Sequence, residues 1–216
     1  MLAFRFAVAL AFAFVPLCAR AQSPAPPAWS THWTPLFDGR DLHNWTNTDF
    51  VASGKITVSS NEIHLAAGGI MTGINWTNGP LPKSNYEISL DAMKTDGSDF
   101  FCGLTFPVGD SFCSLILGGW GGTTVGLSSL DDLDASENET TKSISFDSGH
   151  WYHVQVAVTP AKITAWLDNK KIIEAPIAGR KVSLRPGPIE FSVPLGLATY
   201  QTGAAYRNIQ LRLLNP

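Results

Sequence analysis

Three residues of this chain have side chains suited to moving protons, and the alternation of the sequence turns two of them away from the core. Tyr86, Ile88, Leu90 and Ala92 alternate with Glu87, Ser89 and Asp91. Tyr152, Val154, Val156 and Val158 alternate with Trp151, His153, Gln155 and Ala157. In a strand, successive side chains point to opposite faces, so Asp91 and His153 leave the apolar side. Lys94 follows Asp91 by three positions. A carboxylate, an imidazole and an ammonium form a general acid–base set with a cation beside it. The competing reading of each is a solvated side chain on an exposed strand face. Trp166 is likewise out of phase with Ile163, Ala165 and Leu167, and Trp120 stands among glycines in Gly118-Gly119-Trp120-Gly121-Gly122. A flat indole offers a π-face on which the C–H bonds of a pyranose can stack. Alternatively, Trp166 covers a loop and the glycines around Trp120 only close a turn.

A second constellation is the acidic run Asp131, Asp132, Asp134, Glu137 and Glu139. Its oxygens suit Ca²⁺, although the run lacks the spacing and central glycine of an EF-hand loop; a solvated acidic loop is the other reading. Beyond this, the metal content is open. There is no nucleophile elbow with Ser, His and Asp, no phosphate loop, no zinc-ligand cluster and no Glu-x-Asp-x-x-Glu strand of the laminarinase type. Asn44-Trp45-Thr46, Asn75-Trp76-Thr77 and Asn138-Glu139-Thr140 fit the N-glycosylation acceptor pattern.

The elements that must position these residues are strands. Period-two alternation runs through most of the chain, broken by turns such as Asn78-Gly79-Pro80, Thr95-Asp96-Gly97 and Asp168-Asn169. No stretch sustains a 3.6-residue period. The 19 glycines and 14 prolines suit many short strands and tight turns, and two packed antiparallel sheets follow. The end segments WTPLFDGRDLHNW, Trp33 to Trp45, and GAAYRNIQLRLL, Gly203 to Leu214, each need a partner to bury their apolar sides. The strand near Leu36 is therefore expected beside the strand near Ile209.

Residues 1–21 read as a secretory signal peptide: Arg5, an apolar run from Phe6 to Leu17, and the small-x-small site Ala19-Arg20-Ala21. A lipid anchor at Cys18 is the alternative. Residues 22–30 form a Pro-rich tether, and residues 31–214 a single domain. The expected location is secreted or periplasmic, with no membrane span. The net charge of −3 and the lack of a basic stripe argue against nucleic acid as a partner. Cys102 and Cys113 fall on two strands joined by the turn Pro107-Val108-Gly109-Asp110. They can bridge if directly opposite; on the diagonal they are too far apart. Two buried thiols are the other outcome.

The end motifs and the central segment HWYHVQVAVTPAKITAWLDNKKI, His150 to Ile172, resemble the secreted family of 3-keto-disaccharide hydrolase-like domains, a branch of the concanavalin A-like jelly rolls. The matching features are an aromatic before Leu36-Phe37-Asp38-Gly39, the hairpin with its Asp168-Asn169 turn, and Tyr206-Arg207-Asn208-Ile209 near the close. The middle strands depart. The family often carries Glu-x-Arg and then Asn-Ser-Gly-Ile, where this chain has Asp91-Ala92-Met93 and Phe101-Cys102-Gly103-Leu104.

The resemblance implies an all-β jelly-roll sandwich, a carbohydrate partner and a defined chemistry. A ketone at C3 of a glucosyl unit acidifies the C2 proton; a base removes it, the enolate forms, the C1 oxygen leaves and water adds. In that scheme Asp91 is the base, Lys94 the partner of the enolate oxygen, His153 the further acid–base group, and Trp166 and Trp120 the substrate-binding platforms. These residues are expected on one outward face, with Lys94 and the Trp120 loop at its rim. The alternative function is a non-catalytic glycan- or surface-binding module on the same fold.

Overall fold

The computed structural model describes residues 28–215. The expected signal peptide and most of the tether lie outside the described residues. Fifteen strands form two antiparallel sheets. Sheet A contains β1 (Thr34–Pro35), β3 (Ile56–Ser59), β4 (Glu62–Leu65), β6 (Tyr86–Gly97), β11 (Trp151–Val158), β12 (Lys162–Leu167), β13 (Lys170–Pro176) and β15 (Thr202–Leu213). Their order is β13-β12-β11-β6-β15-β4-β3, with β1 also on β15. Sheet B contains β2 (Trp45–Asn47), β5 (Met71–Trp76), β7 (Cys102–Val108), β8 (Ser111–Gly118), β9 (Thr124–Ser128), β10 (Lys142–Ser143) and β14 (Gly196–Tyr200). Their order is β10-β9-β8-β7-β14-β5-β2. This is the two-sheet sandwich that the alternation implies.

The apolar phase of each strand faces the other sheet. Ile88, Leu90, Val154, Val156, Ile163 and Ala165 of sheet A are fully buried, as are Leu115, Leu117, Val125 and Leu127 of sheet B. Burying each large side chain contributes about 1.5–3 kcal/mol. Two phenols tie the sheets together: Tyr86 donates to the Pro107 carbonyl and Tyr206 to the Phe101 carbonyl, both at 2.5 Å. The two ends of the domain meet as expected. Thr34 pairs with Leu211, and the Leu36 amide donates to the Ile209 carbonyl at 2.8 Å.

The β7–β8 hairpin turns at Gly109-Asp110, but its register separates the cysteines. Cys102 lies opposite Leu117 and Cys113 opposite Phe106. Both are free, buried thiols, and burial pushes each thiol up to about 12.

From Ile177 onward, a strap crosses the outer face of sheet B. It is fastened by paired amides and carbonyls of Ser129 and Ser183, by Ser111 Oγ donating to the Val182 carbonyl at 2.7 Å, and by a short 3₁₀ turn, Pro188–Ser192. Asn75 fixes that turn, donating its amide to the carbonyls of Phe191 and Val193. Asn75 is thereby removed from the set of free glycosylation acceptors. So is Asn138, whose side-chain amide lies within hydrogen-bonding distance of three backbone carbonyls, those of Leu127, Leu133 and Asp134.

Candidate functional site

Sheet A brings Asp91, His153 and Trp166 onto one outward face, as the alternation implied. His153 sits directly opposite Asp91 across β11 and β6, and Trp166 sits opposite Gln155, two positions along from His153. The Asp91 carboxylate is fully engaged. One oxygen lies 2.8 Å from His153 Nδ1; the other takes Asn208 Nδ2 at 2.7 Å and Arg207 Nε at 3.3 Å. A carboxylate can only accept, so Nδ1 carries the ring proton. Burial alone would raise the Asp91 carboxyl. The hydrogen bonds from His153, Asn208 and Arg207 outweigh it and hold the group below the usual carboxylate value. Asp91 is thus an orienting anion for His153, whose Nε2 lies 3.4 Å from Ser89 Oγ. A shallow cleft of about 520 Å³ opens beside them, walled by Pro35, Phe37 and Gln210.

Arg207 and Asn208 belong to the closing motif, yet the alternation gave no hint of their role. Asn208 has φ +54°, and the pairing of β15 with β6 shifts register between Arg207 and Gln210. A bulge here presents two consecutive residues to Asp91, where regular alternation would present one. Arg207 also stacks over Trp151 at 4.0 Å, and Arg212 over Trp33 at 4.3 Å. Glu87, in the same outward phase as Asp91, is only 6% exposed and is gripped by Arg212 through two bonds of 2.6 and 2.9 Å.

Two of the expected site residues lie elsewhere. Lys94 pairs with Ala204 and shares the phase of Leu90 and Ala92, so it leaves β6 on the side opposite Asp91. The cation beside Asp91 is Arg207. Trp120 lies in the turn between β8 and β9, in the other sheet, and joins no rim of the Asp91 face.

Trp120 instead overlooks a cleft of about 500 Å³ on the outer face of sheet B. Its backbone is left-handed, φ +49° and ψ +54°, which lifts the ring off the sheet, and the residue is 41% exposed. The Arg185 guanidinium, from the strap, lies 5.5 Å from the ring centroid. Asp99 sits beneath the turn: one oxygen accepts the Phe100 amide at 2.7 Å and the other the Gly121 amide at 3.3 Å. Tyr200 and Phe100 continue the wall, their rings 5.9 Å apart. Gly103 makes room for Phe100, since a Cβ there would stand 3.0 Å from that ring. The far end is closed by Met71 and Ile189, which pack with Phe50 and Ala198 in a small second cluster. Asp99, Arg185 and Tyr200 carried no periodic signal because they come from a strand entry, a strap and a strand exit.

The acidic run is tied to the strap. Asp131 and Glu139 both bind Arg180, Asp132 lies 2.7 Å from Lys181 Nζ, and Asp134 lies 3.5 Å from Arg185. Hydrogen bonds from Arg180 hold Asp131 and Glu139 below the usual carboxylate range. Basic side chains thus supply the positive charge that a Ca²⁺ would bring. Among the described residues, one trio of potential ligands converges, the exposed Asp38, Asp41 and His43. No helix among the described residues is long and apolar enough to cross a membrane.

Residues 32–212 match the family model of the 3-keto-alpha-glucoside-1,2-lyase-like domain. The chain belongs to this family. No curated protein matches the lyase-like chain, whereas many solved structures share its fold. A Bacillus subtilis protein of unknown function with a galectin-like fold aligns at TM-score 0.59 and 11% identity, covering 87% of this chain and 98% of that one. A putative glycosyl hydrolase from Parabacteroides distasonis aligns at 0.54 and 13%, covering 85% and 94%. The carbohydrate-binding module CBM66 of Bacillus subtilis aligns at 0.50 and 12%, covering 78% and 95%. At such identities the likeness concerns the fold, the jelly-roll sandwich of the lyase-like domain. Phe101 and Cys102, standing where the family resemblance expects Asn and Ser, are both fully buried.

Proposed function

We propose that this lyase-like domain receives a glucosyl unit in the cleft over sheet B and acts on its 3-keto form. The observation that carries the reading is Trp120, raised on a left-handed residue with Arg185 over one face of its ring and Asp99 anchored beneath its turn. The ring face turned away from Arg185 is the stacking platform. Each Asp99 oxygen accepts one backbone N–H, which leaves lone pairs for a sugar hydroxyl or for the C2 proton of a 3-keto sugar. Arg185 is the cation suited to the enolate oxygen at C3. The C1–O bond then breaks, the departing oxygen takes the proton that Asp99 removed from C2, and water adds across the resulting C1–C2 double bond. The glycosyl hydrolase and carbohydrate-binding neighbours share the fold and support a carbohydrate ligand.

The test is incubation with a 3-keto-disaccharide and with the unoxidised sugar, following release of the reducing unit. Turnover of the keto sugar alone, lost in Asp99→Asn and Arg185→Met, supports the reading. Binding of both sugars with no turnover of either assigns the domain to glycan binding. The apolar amino-terminal segment and Ala19-Arg20-Ala21 support export, and a mature protein beginning at Gln22 would bear that out.

A second reading keeps the chemistry on sheet A. It rests on the Asp91–His153 pair, which fixes the ring proton on Nδ1 and leaves Nε2 as the basic atom beside the shallow cleft. His153→Gln separates the readings, because it abolishes turnover only if this face is catalytic.

A further inference from the structure

The cleft over sheet B is chemically divided along its length. The strands beneath it follow the order β9, β8, β7, β14, β5. At the β9–β8 end stand Trp120, Arg185 and Ser128, with Asp99 beside them at the entry to β7. At the β14–β5 end the lining is Tyr200, Ile70, Met71 and Ile189. Ile70 is 43% exposed at the rim. An exposed apolar side chain continuous with an apolar cleft wall offers a binding surface.

A second sugar unit is poorly served by that end. A pyranose presents hydroxyls around its ring; the Tyr200 phenol can meet one of them, and Met71, Ile70 and Ile189 offer the others no partner. Buried hydroxyls without hydrogen bonds are disfavoured. A flat apolar group has the opposite need. It can lie along the edges of the Tyr200 and Phe100 rings and cover Ile70, replacing water with dispersion contacts.

We propose that the preferred ligand of this cleft is a glucoside with an aromatic aglycone, its sugar on Trp120, Asp99 and Arg185 and its aryl group against Tyr200, Ile70 and Ile189. This rests on the sugar reading of the same cleft and names the substrate class within it.

The test compares binding of methyl α-D-glucopyranoside, p-nitrophenyl α-D-glucopyranoside, maltose and p-nitrophenol by isothermal titration. The wild type is set against Ile70→Ser, Tyr200→Ser and Trp120→Ala, each checked for folding by its thermal melt. Ile70 is exposed, so its variant keeps the test valid if Tyr200→Ser fails to fold. The aryl glucoside should bind at least about tenfold more tightly than the methyl glucoside or maltose, a typical gain from filling an apolar subsite. Ile70→Ser should erode that margin without weakening the methyl glucoside. Equal binding of aryl and methyl glucosides, with both weakened by Trp120→Ala, overturns the aglycone proposal and leaves the sugar reading standing. No binding of any glucoside, or p-nitrophenol binding as tightly as its glucoside, overturns both.

Discussion

Asp91 and His153 face each other across adjacent strands, carboxylate oxygen to ring Nδ1 at 2.8 Å. The same carboxylate also holds Asn208 and Arg207 from the strand on its other side. It therefore joins β11, β6 and β15 at the middle of sheet A. Asp91→Ala leaves three donors without their acceptor, in a place that water partly reaches. A loss of about 1–3 kcal/mol in unfolding free energy is expected, the usual result of orphaning hydrogen-bonding groups. Urea denaturation measures it. If the sugar cleft lies over sheet B, keto-sugar turnover by the folded fraction persists.

The same network sets a pH dependence. Asp91 titrates below its ordinary value of 3.8 in the folded chain. A carboxylate with a depressed folded value stabilises above the unfolded value, and that stability is lost as pH falls through the folded one. The stability difference between wild type and Asp91→Asn should be full near neutral pH and shrink below about pH 4. Urea midpoints at several pH values read it directly. A difference that grows on acidification would contradict the assignment.

How far the sequence foretold this site depended on how each residue is placed. Alternation put Asp91, His153 and Trp166 on one face correctly, because all three lie within regular strands of one sheet. Nearness in the chain groups Lys94 with Asp91, but three positions along a strand reverse the face, and the structure follows the alternation. Alternation could not assign Trp120 to a sheet, since a hairpin pattern fixes neighbours and leaves the sheet unspecified. Asp99 and Arg185 meet through chain crossings that no local period records. Arg207 and Asn208 were visible as a motif, but only the bulge explains why both point at Asp91.

The thiols of Cys102 and Cys113 offer a simple check on register. Each lies opposite a different residue and is sealed in the core, with its thiol raised to about 12. Native protein should leave both unreacted toward a thiol reagent at pH 8, and unfolding should expose both. Exposure to oxidant should leave the native mass unchanged. A loss of two hydrogens on native oxidation would contradict the register of β7 and β8.

Arg180 holds the strap to the acidic loop through Asp131 and Glu139. The two acids are about half exposed, so the global effect of Arg180→Met should be small. The local effect should be larger. Hydrogen exchange at the Asp131 and Ser183 amides, whose acceptors are the Lys181 and Ser129 carbonyls, should quicken, while exchange in β6 and β11 stays as in the wild type. Because both acids titrate below the usual range through their bonds to Arg180, the fastening should persist to mildly acidic pH. It should weaken in high salt.

Trp120 carries the last prediction, in which stability and function move in opposite directions. A bulky residue with φ +49° occupies a region that L-amino acids enter at a cost of about 1–2 kcal/mol, whereas glycine enters it freely. Such strain is retained where it positions a side chain for a task. Trp120→Gly should therefore leave the domain as stable as the wild type or up to about 1 kcal/mol more stable, since the ring is well exposed. The same change should weaken glucoside binding by roughly 1–3 kcal/mol, the contribution of a large apolar side chain covered by a ligand. Trp120→Ala should lose the binding without gaining the stability. Trp166→Ala, on the opposite sheet, should leave cleft binding unaltered; a comparable loss there would move the platform to sheet A. Thermal melts and titration on the same protein preparations provide both readings. A Trp120→Gly variant that melts lower and binds as tightly as the wild type would show that the raised indole serves packing alone.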